Sequence, residues 1–206
     1  MVRRYEATEV RRRQIVAAAR RLIVTRGAEH VTVRRIAKEV GLSEAAIYRH
    51  FRSKKDVLRL LLEDVEQDLI DDLDTERHGG EVSLDSLNAV LRHHLSSMEQ
   101  RQGIRFQVIA EIISLGDKGL NRRGMETVNK YVAILHQLLS ACAAAGQMRS
   151  DVDLDGAATL LFCMIQGLVN MWALSNYGFD LMSRYERLWG VFRESVATTS
   201  PVPMSD

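Results

Sequence analysis

Basic side chains are concentrated near the start of this chain, where their number and type suit contact with an anion. Residues 1–58 hold 15 Lys and Arg against 6 Asp and Glu, a net charge of +9. Residues 59–206 hold 13 against 21, a net charge of −8, so that the two parts sum to the overall +1. Arginine guanidinium groups pair well with phosphate oxygens and with base edges. A near-neutral total therefore conceals a basic first part, which predicts a polyanionic partner for that part alone.

The spacing of apolar residues predicts the elements that position these groups. Apolar residues recur at helical spacing within 33–40, Gly41 permits a left-handed backbone, and Ser43 can cap a following helix. The inner side of that second helix is marked by Ala46, Ile47 and the pair His50–Phe51. Two short helices joined by a three- to four-residue turn with glycine predict a helix-turn-helix, whose second helix is free to enter the major groove of duplex DNA.

Two kinds of DNA contact are predicted from this segment. Hydroxyl, imidazole and ammonium groups, some at helix N-termini, suit phosphate: Thr32, Tyr48, His50 and Lys54. Base contacts are expected from Arg49, whose guanidinium can pair with guanine, and from Glu44, whose carboxylate can accept from cytosine. Ala45 and Ala46 are small enough to let the helix approach the bases closely. Ser43, at the start of the second helix, is also predicted to contact DNA. Packing between helices is the alternative for Tyr48 and His50, and capping its own helix is the alternative for Glu44.

The composition predicts an all-α protein. The 206 residues are 46% hydrophobic, and both prolines, Pro201 and Pro203, follow position 200, so long uninterrupted helices are allowed. The charged N-terminus is unlike a signal peptide. Cys142 and Cys163 lie in apolar stretches, which favours buried thiols in a reducing compartment. We therefore expect a cytoplasmic protein, associated with the nucleoid when bound to DNA, and we interpret the apolar stretch 157–174 as a buried helix instead of a membrane span.

Apolar periodicity and helix-end signals predict nine helices. They cover about residues 8–26, 33–40, 43–50, 54 to the loop at 78–80, 84–101, 104–115, 120–145, 154–176 and 181–197. The helix at 154–176 is apolar almost all round, so it must be covered on more than one side. Pairing of the last two helices with those of a second copy, as a two-fold four-helix bundle, provides that cover. The predicted interface residues are Phe162, Ile165, Val169, Tyr185, Leu188, Trp189 and Phe192.

Three runs carry a family resemblance: Val33-Arg34-Arg35-Ile36-Ala37, Val40-Gly41-Leu42-Ser43 and Ile47-Tyr48-Arg49-His50-Phe51-Arg52-Ser53-Lys54. They resemble the TetR family of bacterial transcriptional regulators. The resemblance implies a nine-helix dimer with a DNA-binding head and a body that binds a ligand and dimerises, acting usually as a repressor. It also implies a guanine contact at Arg34. Many members carry a second aromatic residue beside Tyr48, whereas this chain has Arg49.

The resemblance divides the chain into three parts. We expect a helix-turn-helix head at 1–56, a helical ligand-binding and dimerising body at 57–198, and a disordered tail at 199–206. A dimer of such chains presents two heads to a palindromic operator, with half-sites about 34 Å apart.

A regulator of this build needs a ligand that favours one spacing of the heads over another. The candidate lining residues are Met98, Phe106, Ile109, Tyr131, Leu135, Gln166, Asn170 and Trp172. Gln166 and Asn170 are one turn apart on an apolar helix and are candidate convergent polar groups. Plain core or interface packing is the alternative for each of the eight. We expect a small apolar or amphipathic effector.

The sequence shows no Gly-rich phosphate loop, no grouped metal ligands and no nucleophile in a recognisable setting. We therefore expect no catalytic residue, no metal and no cofactor. The competing interpretation is a DNA-anchored interaction factor of nucleoid-occlusion type. Such a protein uses DNA to position a protein–protein contact, and its body presents a partner surface in place of a cavity.

Overall fold

The computed structural model is all-α, as predicted. It describes residues 2–26, 30–49, 51–74, 83–100, 109, 112–113 and 115–198. Eight helices lie in these residues: α1 Val2–Arg26, α2 Val33–Val40, α3 Glu44–Tyr48, α4 Lys54–Asp74, α5 Leu84–Gln100, α6 Lys118–Ala144, α7 Leu154–Leu174 and α8 Leu181–Val196. The helix predicted at about 104–115 falls largely outside the described residues, although 109, 112, 113 and 115 are helical. The predicted tail at 199–206 also lies outside them.

The chain folds into two compact units, each built from separated segments. Unit 1 comprises Met1–Asp68 and Arg101–Glu126, and unit 2 comprises Leu69–Gln100 and Thr127–Asp206. The predicted domains divide the chain after residue 56 into consecutive segments. Unit 1 instead combines the basic N-terminal helices with a second segment that contains the beginning of α6. The beginning of α6 therefore belongs to the same unit as the helix-turn-helix.

Unit 1 is held by the apolar faces of α1, α2, α3 and the first turns of α4. α1 packs on α2, and α2 packs on α3. The buried side chains include Ile15, Ala18, Ala19, Leu22, Ile36, Ala37, Ile47, Phe51, Leu58 and Leu61. α1 begins at Val2, earlier than the predicted residue 8, because residues 2–26 contain neither proline nor glycine to stop a helix. α3 is shorter than predicted, since Ser43 caps it and Arg49 ends it.

Unit 2 is built from helices that bury apolar faces against one another. α8 packs on both α5 and α7. Its core includes Leu91 and Leu95 of α5, Leu161 and Ile165 of α7, and Tyr185 of α8. The end of α8 is fastened to the turn after α6 by an antiparallel bridge between Met148 and Ala197. No strand accompanies this bridge within the residues that the structure describes.

α7 is long and apolar enough to cross a membrane, judged by its length and composition alone. A core helix of a soluble protein can meet the same criteria. Seven of its side chains, from Ala157 to Trp172, are buried among other parts of the chain. This burial agrees with the interpretation of residues 157–174 as a core helix.

Candidate nucleic-acid interface

The turn between α2 and α3 is fixed by backbone geometry and by two caps. Gly41 takes a left-handed φ of +70° and ends α2, and the next residue, Leu42, donates its N–H to Ala37 O at 2.9 Å. At the helix starts, Thr32 Oγ1 accepts from Arg35 N at 3.2 Å and Ser43 Oγ accepts from Ala46 N at 3.1 Å. Each hydroxyl accepts in its cap, so its own hydrogen can still be donated to a phosphate oxygen.

Most of the predicted DNA contacts are exposed on unit 1. The exposed ones are Thr32, Arg34, Ser43, Glu44, Ala45, Tyr48 and Arg49, while Ala46 and Lys54 are half-buried. His50 lies outside the described residues. Tyr48 is 50% exposed and its neighbour Phe51 only 2%, so Phe51 packs in the core and Tyr48 points its ring outward. This exposure favours the phosphate contact over the packing alternative for Tyr48.

The start of α4 presents backbone N–H groups as well as Lys54. Ser53 Oγ accepts weakly from Asp56 N at 3.4 Å, and the Asp56 carboxylate accepts from Arg52 N at 2.9 Å. The run Ser53-Lys54-Lys55-Asp56 therefore forms a capping box that is shifted by one residue, because the Asp56 carboxylate accepts from the backbone N–H of Arg52 instead of that of Ser53. The remaining N–H groups and the helix dipole favour an anion beside Lys54.

Several basic side chains of unit 1 are occupied by carboxylates. Arg20 pairs with Asp64, Arg21 Nε lies 3.1 Å from Glu39 Oε1, and Arg59 Nη1 lies 3.5 Å from Asp56 Oδ1. Among the residues that the structure describes, neither Arg34 nor Arg49 has such a partner. The two predicted base readers are thus available for an external acceptor.

Asp117 joins the start of α4 to the beginning of α6 through Lys55, a contact between residues far apart in the sequence. Its Oδ2 lies 2.5 Å from Lys55 Nζ, while its Oδ1 accepts from Gly119 N and Leu120 N, both at 2.9 Å. The hydrogen bond from Lys55, with those from Leu120 and Gly119, lowers the pKa of the Asp117 carboxyl below its ordinary value. An aspartate before an apolar helix, such as Asp117, is a capping signal, but no sequence pattern identifies Lys55 as its basic partner.

A second charged pair joins the same two helices. Arg123 Nη2 lies 2.8 Å from Glu66 Oε2, and Arg123 Nη1 lies 3.1 Å from Glu126 Oε2. The hydrogen bond to Glu126 and the charge of Glu66 raise the pKa of the Arg123 guanidinium. Glu66 is 7% exposed, so its charge is nearly enclosed and depends on this arginine.

Four of the predicted ligand-lining residues lie in the core of unit 2. Met98, Tyr131, Leu135 and Trp172 are buried there. Gln166 and Asn170 are half-buried and bond to each other, with Gln166 Nε2 donating to Asn170 Oδ1 at 2.9 Å. Ile109 is half-buried and belongs to unit 1, and Phe106 lies outside the described residues. The predicted lining residues of α5, α6 and α7 therefore all belong to unit 2.

This core contains polar aromatic groups. The ring of His94 lies 5.5 Å from that of Tyr131, which lies 5.6 Å from that of Phe162, measured between ring centroids. The Tyr185 hydroxyl donates to Asn88 Oδ1 at 2.8 Å, and burial raises the pKa of that hydroxyl. Neither His94 nor Asn88 was among the predicted site residues. A polar residue that is buried has the same sequence signal as one on the surface.

The predicted dimer residues divide into two groups. Ile165, Val169, Tyr185, Trp189 and Phe192 are buried inside unit 2, so their side chains pack against their own chain. Phe162 is half-buried and Leu188 is exposed. Other large apolar side chains on the same two helices are exposed and were not in the predicted set: Leu160, Met171, Leu174 and Val191. Helical periodicity alone could not separate the face turned to the core from the face turned outward, because both are apolar.

The described residues contain no group of three His, Cys, Asp or Glu side chains able to hold a metal ion. Of the two thiols, Cys142 is buried, as predicted, and burial raises its pKa. Cys163 is exposed on α7, which differs from the prediction, because α7 turns one apolar side away from its own unit.

Two family models together match most of the chain. Residues 15–61 match the bacterial regulatory proteins of the tetR family, and residues 62–193 match the C-terminal region of YsiA-like proteins. A curated relative, the nucleoid occlusion factor SlmA of Idiomarina loihiensis, is 26% identical over 186 residues, which are 90% of this chain and 95% of the relative.

Solved structures share the fold. SmeT, the repressor of the multidrug efflux pump SmeDEF of Stenotrophomonas maltophilia, is 19% identical with a TM-score of 0.73, and the match covers 94% of each chain. SmeT has also been solved with triclosan. The transcriptional regulator FadR of Bacillus subtilis, solved with stearoyl-CoA, is 23% identical with a TM-score of 0.69, and the match covers 88% of this chain and 95% of that one.

Proposed function

This chain belongs to the TetR family of bacterial transcriptional regulators, and from that premise we propose that it represses transcription by binding a palindromic operator as a homodimer. It is a DNA-binding regulator. The observation that carries the proposal is the exposed set Arg34, Tyr48 and Arg49 around a capped helix-turn-helix. We propose a regulatory role without catalysis, in the cytoplasm and on the nucleoid.

In the proposed complex, α3 enters the major groove. Arg34 and Arg49 each pair with a guanine edge, while Tyr48, Thr32 and Lys54 hold phosphates on either side. Ala45 on the exposed side of α3 lets the helix approach the bases closely. For Glu44, at the first position of α3, both the cytosine contact and a favourable interaction with the helix dipole stay open.

The dimer is proposed to form through the outward faces of α7 and α8. Met171 and Leu174 of α7 are exposed, as are Leu188 and Val191 of α8. A Cβ placed on Gly167 or Gly190 meets nothing within 4 Å, so both glycines lie where another backbone can approach. Exposed apolar side chains around such glycines favour helix-to-helix contact with a second copy.

A small apolar or amphipathic effector is proposed to bind in unit 2 and to release the DNA. The buried side chains of Met98, Tyr131, Leu135 and Trp172 are proposed to supply an apolar lining, and the Gln166–Asn170 pair a polar group. FadR holds stearoyl-CoA and SmeT holds triclosan, which are amphipathic and apolar molecules. The family architecture also leads us to propose a ninth helix at about 104–115.

The experiment is selection of bound duplexes from a random pool with the full-length protein. We expect an enriched palindrome whose half-sites are about one turn apart. The protein–DNA complex is then titrated with stearoyl-CoA and, separately, with triclosan. Release by either supports the proposed effector class, and release by neither excludes both as effectors. Enrichment of no sequence over the starting pool contradicts the operator proposal.

A second candidate function is a DNA-anchored factor of nucleoid-occlusion type. It is favoured by the likeness to SlmA over 90% of this chain. Mapping of the selected site in the source genome separates the two functions. A repressor predicts a few sites upstream of genes, whereas an occlusion factor predicts many sites distributed over the chromosome.

A further inference from the structure

Two adjacent lysines at the start of α4 have different surroundings. Lys54 is the first residue of the helix, where the N-terminus favours a phosphate. Lys55 lies with its Nζ 2.5 Å from Asp117 Oδ2. The charge of Lys55 is therefore balanced within unit 1, and the pair ties the beginning of α4 to the residue before α6.

The Asp117 carboxylate is itself held in place. Its other oxygen accepts two backbone N–H groups at the start of α6, from Gly119 and Leu120. A Cβ on Gly119 would lie 3.2 Å from Asp117 Oδ1 and 4.0 Å from Lys55 Nζ, so glycine leaves the room that the pair needs. Because the carboxylate is fixed by the cap, it can fix Lys55 in turn.

The second tie lies farther along both helices. Glu66 is eleven residues after Lys55, which is about three turns, so both residues lie on one side of α4. Arg123 is six residues after Asp117, and its guanidinium lies 2.8 Å from the nearly enclosed Glu66. Two charged pairs therefore hold the first turns of α4 against α6 within unit 1.

We propose that Asp117 and Arg123 are positioning residues for DNA binding, which set the placement of the α4 N-terminus and so of Lys54 on its phosphate. The inference rests on the proposed function, since it concerns the same DNA contact. It assigns a role in DNA binding to two residues that lie more than 60 positions beyond the helix-turn-helix. Asp117 acts through Lys55, and Arg123 acts through Glu66.

The test compares the operator affinity of the full-length wild type with that of Asp117→Asn. Asparagine keeps an oxygen for the α6 cap and removes the charge that holds Lys55. Simple electrostatics predicts tighter binding, because a negative charge is lost near a polyanion. Positioning predicts weaker binding, by roughly 3- to 30-fold. The sign of the change therefore separates the two explanations, and tighter or unchanged binding overturns the proposal.

Two further variants show whether the effect passes through Lys54. In a Lys54→Ala background, Asp117→Asn should cause little additional loss, because the contact that it positions is already absent. If Asp117→Asn weakens binding in the Lys54→Ala background by the same factor as in the wild type, the effect does not pass through Lys54. Lys55→Gln should also weaken binding, and the double variant Lys55→Gln/Asp117→Asn should be no weaker than Lys55→Gln, because both changes break the same pair.

The matched control is Asp85→Asn in unit 2. Asp85 also pairs with an arginine, with Arg193 Nη1 lying 2.6 Å from its Oδ1, but it belongs to the other unit. Its removal should leave operator affinity unchanged or slightly tighter. If the wild type binds no duplex DNA, the proposed function fails together with this inference; if the wild type binds and Asp117→Asn binds as tightly, this inference alone fails.

Discussion

At the scale of single residues, the proposed DNA contacts are of two kinds, those that read bases and those that hold phosphates. Arg34 and Arg49 carry planar groups that match two acceptors on guanine. Lys54 carries a point charge beside a helix N-terminus and has no means of distinguishing bases. Variants at the base-reading residues should therefore change sequence preference as well as affinity, whereas variants at the phosphate-binding residues should change affinity alone.

Arg34→Ala should weaken binding to the selected operator by roughly 1–3 kcal/mol and relax preference at one base pair, because a bidentate contact is lost. Lys54→Ala should weaken operator and random DNA alike, and lower the slope of log affinity against log salt by about 1. Fluorescence anisotropy with both duplexes over a salt series measures both effects. Equal losses on both duplexes for Arg34→Ala contradict its assignment as a reader.

The titration of Asp117 predicts a pH dependence of stability. Its pKa is lower in the folded chain than the ordinary value of 3.8, because the carboxylate accepts hydrogen bonds from Lys55 and from the α6 backbone. A depressed pKa contributes stability that is present above the ordinary value and is lost as pH falls through the folded one. The difference in melting temperature between wild type and Asp117→Asn should therefore be constant from pH 7 to about 5 and shrink below about 4. Thermal unfolding across this range measures it, and a difference that does not vary with pH contradicts the account.

At the scale of elements, the turn between α2 and α3 depends on one backbone conformation. Gly41 has a φ of +70°, and an added Cβ there would meet nothing within 4 Å. The cost of a side chain at this position is therefore conformational and not steric. Gly124, inside α6, offers a matched comparison, because its added Cβ also meets open space while its backbone is helical.

Gly41→Ala should lower the free energy of unfolding by about 1 kcal/mol, since alanine resists a left-handed backbone. Gly124→Ala should raise it by about 0.5–1 kcal/mol, since alanine favours a helix. Urea unfolding followed by circular dichroism measures both. Opposite signs support the conformational explanation, and a loss of similar size in both variants contradicts it.

The helix-turn-helix could be predicted from the sequence because its determinants are local. Thr32, Gly41 and Ser43 act on backbone groups within a few residues of themselves. The Lys55–Asp117 pair could not be predicted, since the two residues are 62 positions apart and many basic residues could have faced that carboxylate. The outward faces of α7 and α8 were equally inaccessible, because buried Ile165 and exposed Met171 are both apolar.

At the scale of the whole molecule, the proposed operator binding depends on two heads acting together. One head supplies few base contacts, and joining two heads multiplies affinity by their effective concentration. The exposed apolar side chains of α7 and α8 are the proposed means of joining them. Val191, at 68% exposure, is the most accessible of those on α8.

Val191→Asp should convert the proposed dimer to monomer, because each copy would bring an unpaired charge into the proposed apolar interface. Operator affinity should then fall by roughly 10²- to 10⁴-fold while each unit stays folded. Light scattering after size-exclusion chromatography reports the mass, and anisotropy reports the affinity. Met125→Asp, a like change at an exposed apolar residue of unit 1, should leave the mass unchanged. A Val191→Asp variant that remains dimeric contradicts the proposed interface.

The most direct measurement is a titration of the full-length protein against the selected palindrome and against the same duplex with one half-site scrambled, at several salt concentrations. Two basic heads on one operator should bind the palindrome at least about 100-fold more tightly than the scrambled duplex, with affinity that falls steeply as salt rises. Failure to bind either duplex at low salt, or equal affinity for both, would contradict a regulator that places two basic heads on one operator.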